Sequence, residues 1–252
     1  MTGWYAGQRF GLAAVATLAL LLAPDPAWAQ ALTFDLGAET AGTTTGRILQ
    51  LIALITVLSL APSILVMMTS FTRIVVVLSF LRTALGLQQT PPNSVIVSLA
   101  LFLTAFIMMP TIEAVYDEAL EPLIAEDITE FEALDRAQGP VRDFMMSHVR
   151  ESDLRLFLDL TDTETLEDPE ATPMRALIPA FMISELRRAF EIGFLLFLPF
   201  LIIDMVVASI LMSMGMMMLP PIMISLPFKL IFFVLVDGWY MVAGSLVQSY
   251  GG

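Results

Sequence analysis

The residues with most chemical potential in this sequence are few, and they sit in apolar surroundings. Asp204 lies midway along one apolar stretch, and Lys229 and Asp237 lie in the next. Two acids on neighbouring membrane helices can share one proton and act as an aspartyl dyad. Against that, Val236-Asp237-Gly238-Trp239 is not a Gly-x-Gly-Asp context. Lys229 is the only lysine in the chain. Facing Asp204 across two helices, it would form a neutral pair, which is how charges usually persist in hydrocarbon. Glu185, Arg187, Arg188 and Glu191 are spaced for the helix-surface pairs Glu185–Arg188 and Arg187–Glu191. At a boundary between subunits such a cluster could fix register. His148 is the single histidine and cysteine is absent, so multi-histidine metal centres, thiolate sites and disulfides are excluded. A serine protease of the membrane needs a membrane histidine as base, and His148 lies in a polar segment. Asp159, Asp162 and Glu164 lack the glycine and spacing of a calcium loop, and no Walker-type phosphate loop exists. No metal and no cofactor is expected.

A second unusual feature is methionine. Seven of the 17 fall between 205 and 223: Met205, Met212, Met214, Met216, Met217, Met218 and Met223. Methionine is unbranched and polarizable, so it re-packs around partners of different shape. A ring of methionines can seal a pore as an apolar constriction; the same composition also suits plain gap-filling against lipid or neighbours. The run sits in one of two similar segments offset by 129. Gly86-Leu-Gln-Gln-Thr-Pro91-Pro92 matches Gly215-Met-Met-Met-Leu-Pro220-Pro221. Each glycine permits a turn, and each proline pair ends a helix and forces an extended step.

The elements that carry these residues are apolar helices. The chain has 252 residues, 57% apolar and 15% charged, well below the roughly 25% charged of a soluble domain. The formal charge of −13 is local: Glu113 to Glu170 holds 18 acids and 4 arginines, while the rest holds 7 acids and 8 bases. An acidic chain has no general attraction for phosphate backbones, so no nucleic-acid partner is expected. Uncharged runs cover Ile48 to Thr72 and Thr83 to Ile112, and Asp204 alone interrupts Ile192 to Phe228. Each exceeds the roughly 20 residues needed to cross hydrocarbon.

The expected fold is an all-α membrane protein of two helical hairpins with an acidic, helical, periplasmic insert. Its four membrane-type helices run from about Ile48 to Thr69, Ser94 to Ile112, Ala189 to Ser213 and Ile222 to Val247. Residues 1–29 read as a cleavable signal peptide. Arg9 precedes the apolar Phe10–Ala23, and Ala27-Trp28-Ala29 supplies the cleavage site. Residues 30–47 form a periplasmic segment, 48–112 the first hairpin, 113–180 the insert, and 181–252 the second hairpin with its methionine loop. Arg73 and Arg82 then belong to a cytoplasmic loop, in accord with the positive-inside rule. In the insert, Thr129-x-x-Glu132 predicts a capping box, and Gly139-Pro140 predicts a break between two helices. Val141, Phe144, Met145 and Val149 line one face, which sister copies packed in a ring would cover.

Several motifs in order carry a family resemblance. They are Thr69-Ser-Phe-Thr-Arg-Ile-Val-Val-Val-Leu-Ser, Gln89-Thr-Pro-Pro-Asn, Phe181-Met-Ile-Ser-Glu-Leu, Gly193-Phe, Gly215-Met-Met-Met-Leu-Pro-Pro and Leu226-Pro-Phe-Lys-Leu-Ile-Phe-Phe-Val-Leu-Val-Asp-Gly-Trp. From about Leu49 onward the chain resembles the FliP family of flagellar type III export-gate proteins and their injectisome counterparts. The resemblance implies a pore-forming subunit, not an enzyme, of a bacterial inner-membrane gate in the flagellar basal body. It implies a homo-oligomer, five copies in that family, in a ring or helical assembly with FliQ- and FliR-like subunits. FlhA- and FlhB-like proteins would lie beside it, and unfolded flagellar proteins would pass through. It implies that Met216, Met217 and Met218 form the pore gasket, with Met212 and Met214 in support. It also implies that assembled subunits are partly lifted from the bilayer, so the helices touch neighbours as well as lipid. The readings set against it are a stand-alone channel and an intramembrane aspartyl protease using Asp204 and Asp237.

Overall fold

The computed structural model describes residues 66–161, 172–216 and 219–251, with positions 52, 55, 56, 59 and 62–64. The predicted signal peptide with Ala27 and Ala29, the segment 30–47, and Asp162 and Glu164 lie outside the described residues. Everything described beyond Ile52 belongs to one compact unit, Ile55–Gly252. All regular structure among the described residues is helical.

Helix α1, Phe71–Ala84, is the central element. Ile74, Val77, Leu78, Leu81 and Ala84 recur at helical spacing and are all buried. They meet Ile96, Ala100 and Leu103, with Ala189, Phe200, Phe233, Val242 and Leu246 from later helices. Gly86, at φ +78, ends the helix. Its N–H reaches the Thr83 carbonyl at 2.9 Å, and the Leu87 N–H reaches that of Arg82 at 3.2 Å, a Schellman closure.

Helix α2 is Asn93–Val115. A π-helical turn, Tyr116–Leu120, carries it into α3, Glu121–Ile124. The whole is one 32-residue rod, about 48 Å long, and it runs well past the expected end at Ile112. The reason is local: Glu, Ala and Leu after Ile112 are good helix formers, and a change of charge does not stop a helix.

Helix α4 is Glu130–His148, and the Thr129 hydroxyl accepts the Glu132 N–H at 3.3 Å as its cap. The predicted break at Gly139-Pro140 is not there; Pro140 lies inside α4. A proline costs one backbone bond in a helix interior. Packing on either side of it, by Ala133 and by Phe144 and Met145, holds the helix together. Helix α5 is Glu151–Leu160. Val141, Phe144, Met145, Val149 and Leu154 do not wait for sister copies: they pack with Leu177 and Phe181 of this chain's next helix. Phe131 and Leu134, farther up α4, stay 85% and 64% exposed.

That next helix, α6, is Met174–Ser213, 40 residues and about 60 Å long. It starts 15 residues before the expected third span, so the boundary drawn at 180/181 falls inside it, as 112/113 falls inside the α2 rod. The expected fourth span is two helices, α7 at Pro221–Leu235 and α8 at Gly238–Gln248, which meet at 62°. Among the described residues, two helices are long and apolar enough to cross a membrane, or up to four if each bent pair counts as one span. The second bent pair is Pro62–Met68 with α1, at 81°. The molecule is an all-α membrane protein.

Gly193 marks a close approach of α6 to Phe80 of α1. A Cβ there would come within 2.6 Å of the Phe80 ring, whereas one at Gly244 would meet nothing within 4 Å. Gly193→Leu is expected to cost about 1–3 kcal/mol by overpacking this seam. Gly244→Ala is expected to be neutral or to stabilise by up to about 1 kcal/mol, through helix propensity. Thermal unfolding of the detergent-solubilised variants checks both; equal effects would contradict the described seam.

Candidate functional site: the second hairpin tip and the ionic networks beneath it

Helix α6 ends as α1 does. Gly215 has φ +74, its N–H reaches the Met212 carbonyl at 3.1 Å, and the Met216 N–H reaches that of Leu211 at 3.0 Å. An L side chain is strained in that left-handed conformation, so glycine is required at both tips. Pro92 and Pro220 each stand just before the following helix, with Pro91 and Pro221 beside them. The two tips thus share a closure at an offset of 129. At the second tip, Met214 and Met216 are 63% and 43% exposed, and Met205, Met212 and Met223 are exposed as well. Met217 and Met218 lie outside the described residues.

Beneath this tip lies a polar knot. Lys229 of α7 is buried, and its Nζ donates to Asp204 Oδ2 of α6 at 2.7 Å. The same ammonium donates to the Ala84 carbonyl at 3.1 Å. Ala84 ends α1, where carbonyls lack intrahelical partners and the helix dipole is negative. Lys229 therefore caps α1 while neutralising Asp204. The Ser225 hydroxyl donates to Asp204 Oδ1 at 2.5 Å. A Cβ at Gly86 would lie 3.4 Å from Leu226 and 4.0 Å from Lys229 Nζ, so the first tip packs on α7. Arg82 steadies that first tip through Asn93 at 2.6 Å and the Pro91 carbonyl at 3.3 Å.

Asp237 stands apart. It is exposed at the bend between α7 and α8, in a left-handed conformation at φ 49. Both oxygens of Asp204 are engaged by Ser225 and Lys229. The arrangement is an ion pair between helices, not two acids sharing a proton.

A second knot joins α1, α6 and the chain's last residues. Arg73 and Glu185 are both 0% exposed and form a two-pronged pair, with Nε to Oε2 at 2.8 Å and Nη2 to Oε1. Arg73 Nη1 also donates to the Ser249 hydroxyl at 3.0 Å and its carbonyl at 3.3 Å. The Tyr250 ring lies under the guanidinium, 3.7 Å from Cζ, and its hydroxyl donates to Glu185 Oε2. Burial, reinforced by the negative Glu185, pushes the Tyr250 phenol far above its ordinary range. It therefore keeps its proton, and what this adds to stability is whole below the ordinary tyrosine range and is lost as pH climbs above that range toward the raised value. Tyr250 also stacks on Phe144, 6.0 Å away, and meets His148 at 5.0 Å, which ties α4 to the same knot.

This knot departs from the sequence reading in two ways. Arg73 is a buried helical residue, not part of a solvent loop. Glu185 turns inward to Arg73 and does not pair with Arg188, because a two-pronged guanidinium pair is stronger than a surface contact. Arg187 and Glu191 do meet, at 3.2 Å on the exposed side. Ser225, Ser249 and Tyr250 were not singled out from the sequence. Arg73 carried a signal, since it is the first charge after 25 uncharged residues and precedes Ile-Val-Val-Val.

The chain is similar to known proteins over nearly all of this structure. The sequence pattern of the FliP family matches residues 54–246. The flagellar biosynthetic protein FliP of Caulobacter vibrioides is 58% identical over 240 residues, covering 95% of this chain and 90% of that protein. The protein of the same name from Bacillus subtilis is 56% identical, over 80% of this chain and 91% of its own length. That from Pectobacterium carotovorum is 50% identical, over 96% and 93%.

The knot beneath the tip makes a specific demand. Asp204→Lys or Lys229→Asp alone places two like charges together, and each is expected to abolish recovery of the folded chain. The double exchange is expected to recover part of it. Recovery stays below the unsubstituted level, because an acid at 229 would face the Ala84 carbonyl. Yield and thermal unfolding of the three variants check this; equal failure of all three would argue against direct pairing.

Proposed function

Because the chain belongs to the FliP family, whose members are named for flagellar biosynthesis, we propose that it is a pore-forming subunit of the flagellar type III protein export gate. A role in flagellar export and residence in a membrane follow from the family and the apolar helices. The finer reading is that copies of the chain assemble with FliQ- and FliR-like subunits in the inner membrane, at the flagellar basal body. FlhA- and FlhB-like proteins stand beside them, and unfolded flagellar proteins pass through.

The observation that carries this reading is the second tip. A glycine closure ends α6 and presents exposed methionines just beyond it, while the Asp204–Lys229 knot holds the base of the loop to α1. A rigid base and a compliant apolar edge are what a seal around a passing chain needs. Methionines from several copies, with Met216 to Met218 foremost, would close on the axis and exclude ions. An extended chain would displace them without any particular sequence, because thioether side chains re-pack at small cost. The channel itself makes and breaks no covalent bond. The driving force is applied by neighbouring components.

Replacement of Met216, Met217 and Met218 by serine is expected to raise ion leakage through the assembled gate severalfold, read as conductance across a bilayer or as growth inhibition in cells. Assembly is checked in the same samples by co-purification of the FliQ- and FliR-like chains. Unchanged leakage in an assembled gate would remove the gasket role. A chain that conducts with neither partner present would favour the stand-alone channel.

A further inference from the structure

Several arginines in the described structure are answered by an acid: Arg73 by Glu185, Arg136 by Glu132, Arg155 by Glu151 and Arg187 by Glu191. Arg150 and Arg188 pair with no acid among the described residues. Both line one polar cavity of about 360 Å³, with Arg73, Glu191, Ile192 and Ser249 around it. The cavity sits where α5 begins, α6 is halfway along and the chain ends. Arg73 and Glu191 are already neutralised by their own partners, so the cavity keeps the charge of two guanidinium groups. Arg150 Nη1 is buried, with no hydrogen-bond partner among the described residues. A buried donor left unmade is costly, and a charged one more so. The backbone of Arg150 is fixed, since its N–H reaches the Ser184 hydroxyl at 3.0 Å, so the side chain does not simply swing away with its loop.

Two guanidinium groups facing one cavity suit an oxyanion, because their planar forks match a carboxylate or a phosphate. This chain has acids to spare, 25 against 12 bases, and the whole of the excess is in the insert between Glu113 and Glu170. The described residues of one copy nevertheless leave these arginines unanswered. The insert also shows apolar side chains that its own chain does not cover, with Phe131 and Leu134 on α4 and Leu156 and Leu160 on α5. Charge complementarity and uncovered apolar surface lie on the same insert, which points to a neighbour carrying the same insert.

We propose that Arg150 and Arg188 receive a carboxylate from the acidic insert of a second copy of this chain, and that the cavity is complete only between copies. The inference rests on the oligomeric reading above and names a contact within that oligomer.

The chain's composition offers a direct test. Lys229 is its only lysine, buried and held by Asp204 and Ala84, so a lysine placed elsewhere is a nearly unique reactive amine. Arg150→Lys and Arg188→Lys variants of the full chain, co-expressed with its FliQ- and FliR-like partners, are treated with a water-soluble carbodiimide, which joins an amine to a carboxylate. Isotope-labelled and unlabelled copies are mixed, and cross-linked peptides are read by mass spectrometry. The expected result is a peptide joining residue 150 or 188 to an acid between 113 and 170 of the other copy. Arg150→Glu and Arg188→Glu are expected to lower oligomer recovery severalfold, and the lysine variants to retain it. Cross-links confined to one copy, cross-links only to a different chain, or none at all would overturn the proposal. So would a co-purifying phospholipid lost in Arg150→Gln and Arg188→Gln, which would assign the cavity to a lipid phosphate. An unsubstituted chain that forms no oligomer would sink the export-gate reading itself, which separates that failure from this one.

Discussion

The structure depends on one constraint: the guanidinium of Arg73 is fully buried and must be compensated where it lies. Glu185 supplies the charge, Ser249 and Tyr250 supply the remaining partners, and these groups come from α6 and the chain's end. A buried ion pair adds little net stability over well-packed apolar side chains, but removing one partner costs about 3–5 kcal/mol. Its effect here is to select an arrangement. The apolar face of α1 is a repeat of valines, leucines and isoleucines, and one apolar helix can slide along another at small cost in hydrocarbon, where there is no hydrophobic force between helices. A two-pronged pair tolerates no such slide. It sets which turn of α1 meets which turn of α6, and it ties the end of the chain and α4 to that choice.

The second knot acts at the other end of the same helix. Arg73 lies in the first turn of α1 and the Ala84 carbonyl in the last, 11 residues apart and so about 16 Å along the axis. With Glu185 at one end and Lys229 at the other, α1 is pinned twice. The glycine after each hairpin's first helix turns the backbone in the same way, but the tips then differ. The first is held down on α7 through Gly86 and Leu226 and bound by Arg82. The second projects beyond its helix with its methionines exposed. One tip of the repeat has become a buttress and the other an edge, and Lys229 connects them.

Much of this was legible in the sequence. Apolar runs of span length, the isolated Asp204 and Lys229, and the paired glycines and prolines all report local physics. A run states its own hydropathy, and a charge in hydrocarbon announces that a partner exists. What was hidden depends on distance along the chain. Arg73 and Glu185 are 112 residues apart, and periodicity cannot join them. The helix ends were hidden for another reason. Hydropathy marks where a helix leaves an apolar medium, and the α2 rod runs on past that point while α6 begins well before it. At Pro140 the local rule was sound, and tertiary packing overrode it.

The distribution of polarity follows from these pins. The chain keeps its costly charges inside and turns large apolar side chains outward along α2, α6 and α7, the inverse of a soluble domain. An outward apolar surface gains little from lipid tails that a neighbouring apolar helix would not also give, since both offer similar dispersion contacts. Such a surface can exchange lipid for neighbours without a large change in energy, provided the subunit does not need either to hold its shape. The two internal knots meet that condition, because each is complete within one copy. The cavity of Arg150 and Arg188 is the contrasting case: it is polar, it lies at the last charged turn before the apolar run that begins at Ile192, and its charge is unanswered among the described residues. If copies meet as proposed, that cavity would supply the specificity between them through polar groups, and the apolar surface would be left to adapt.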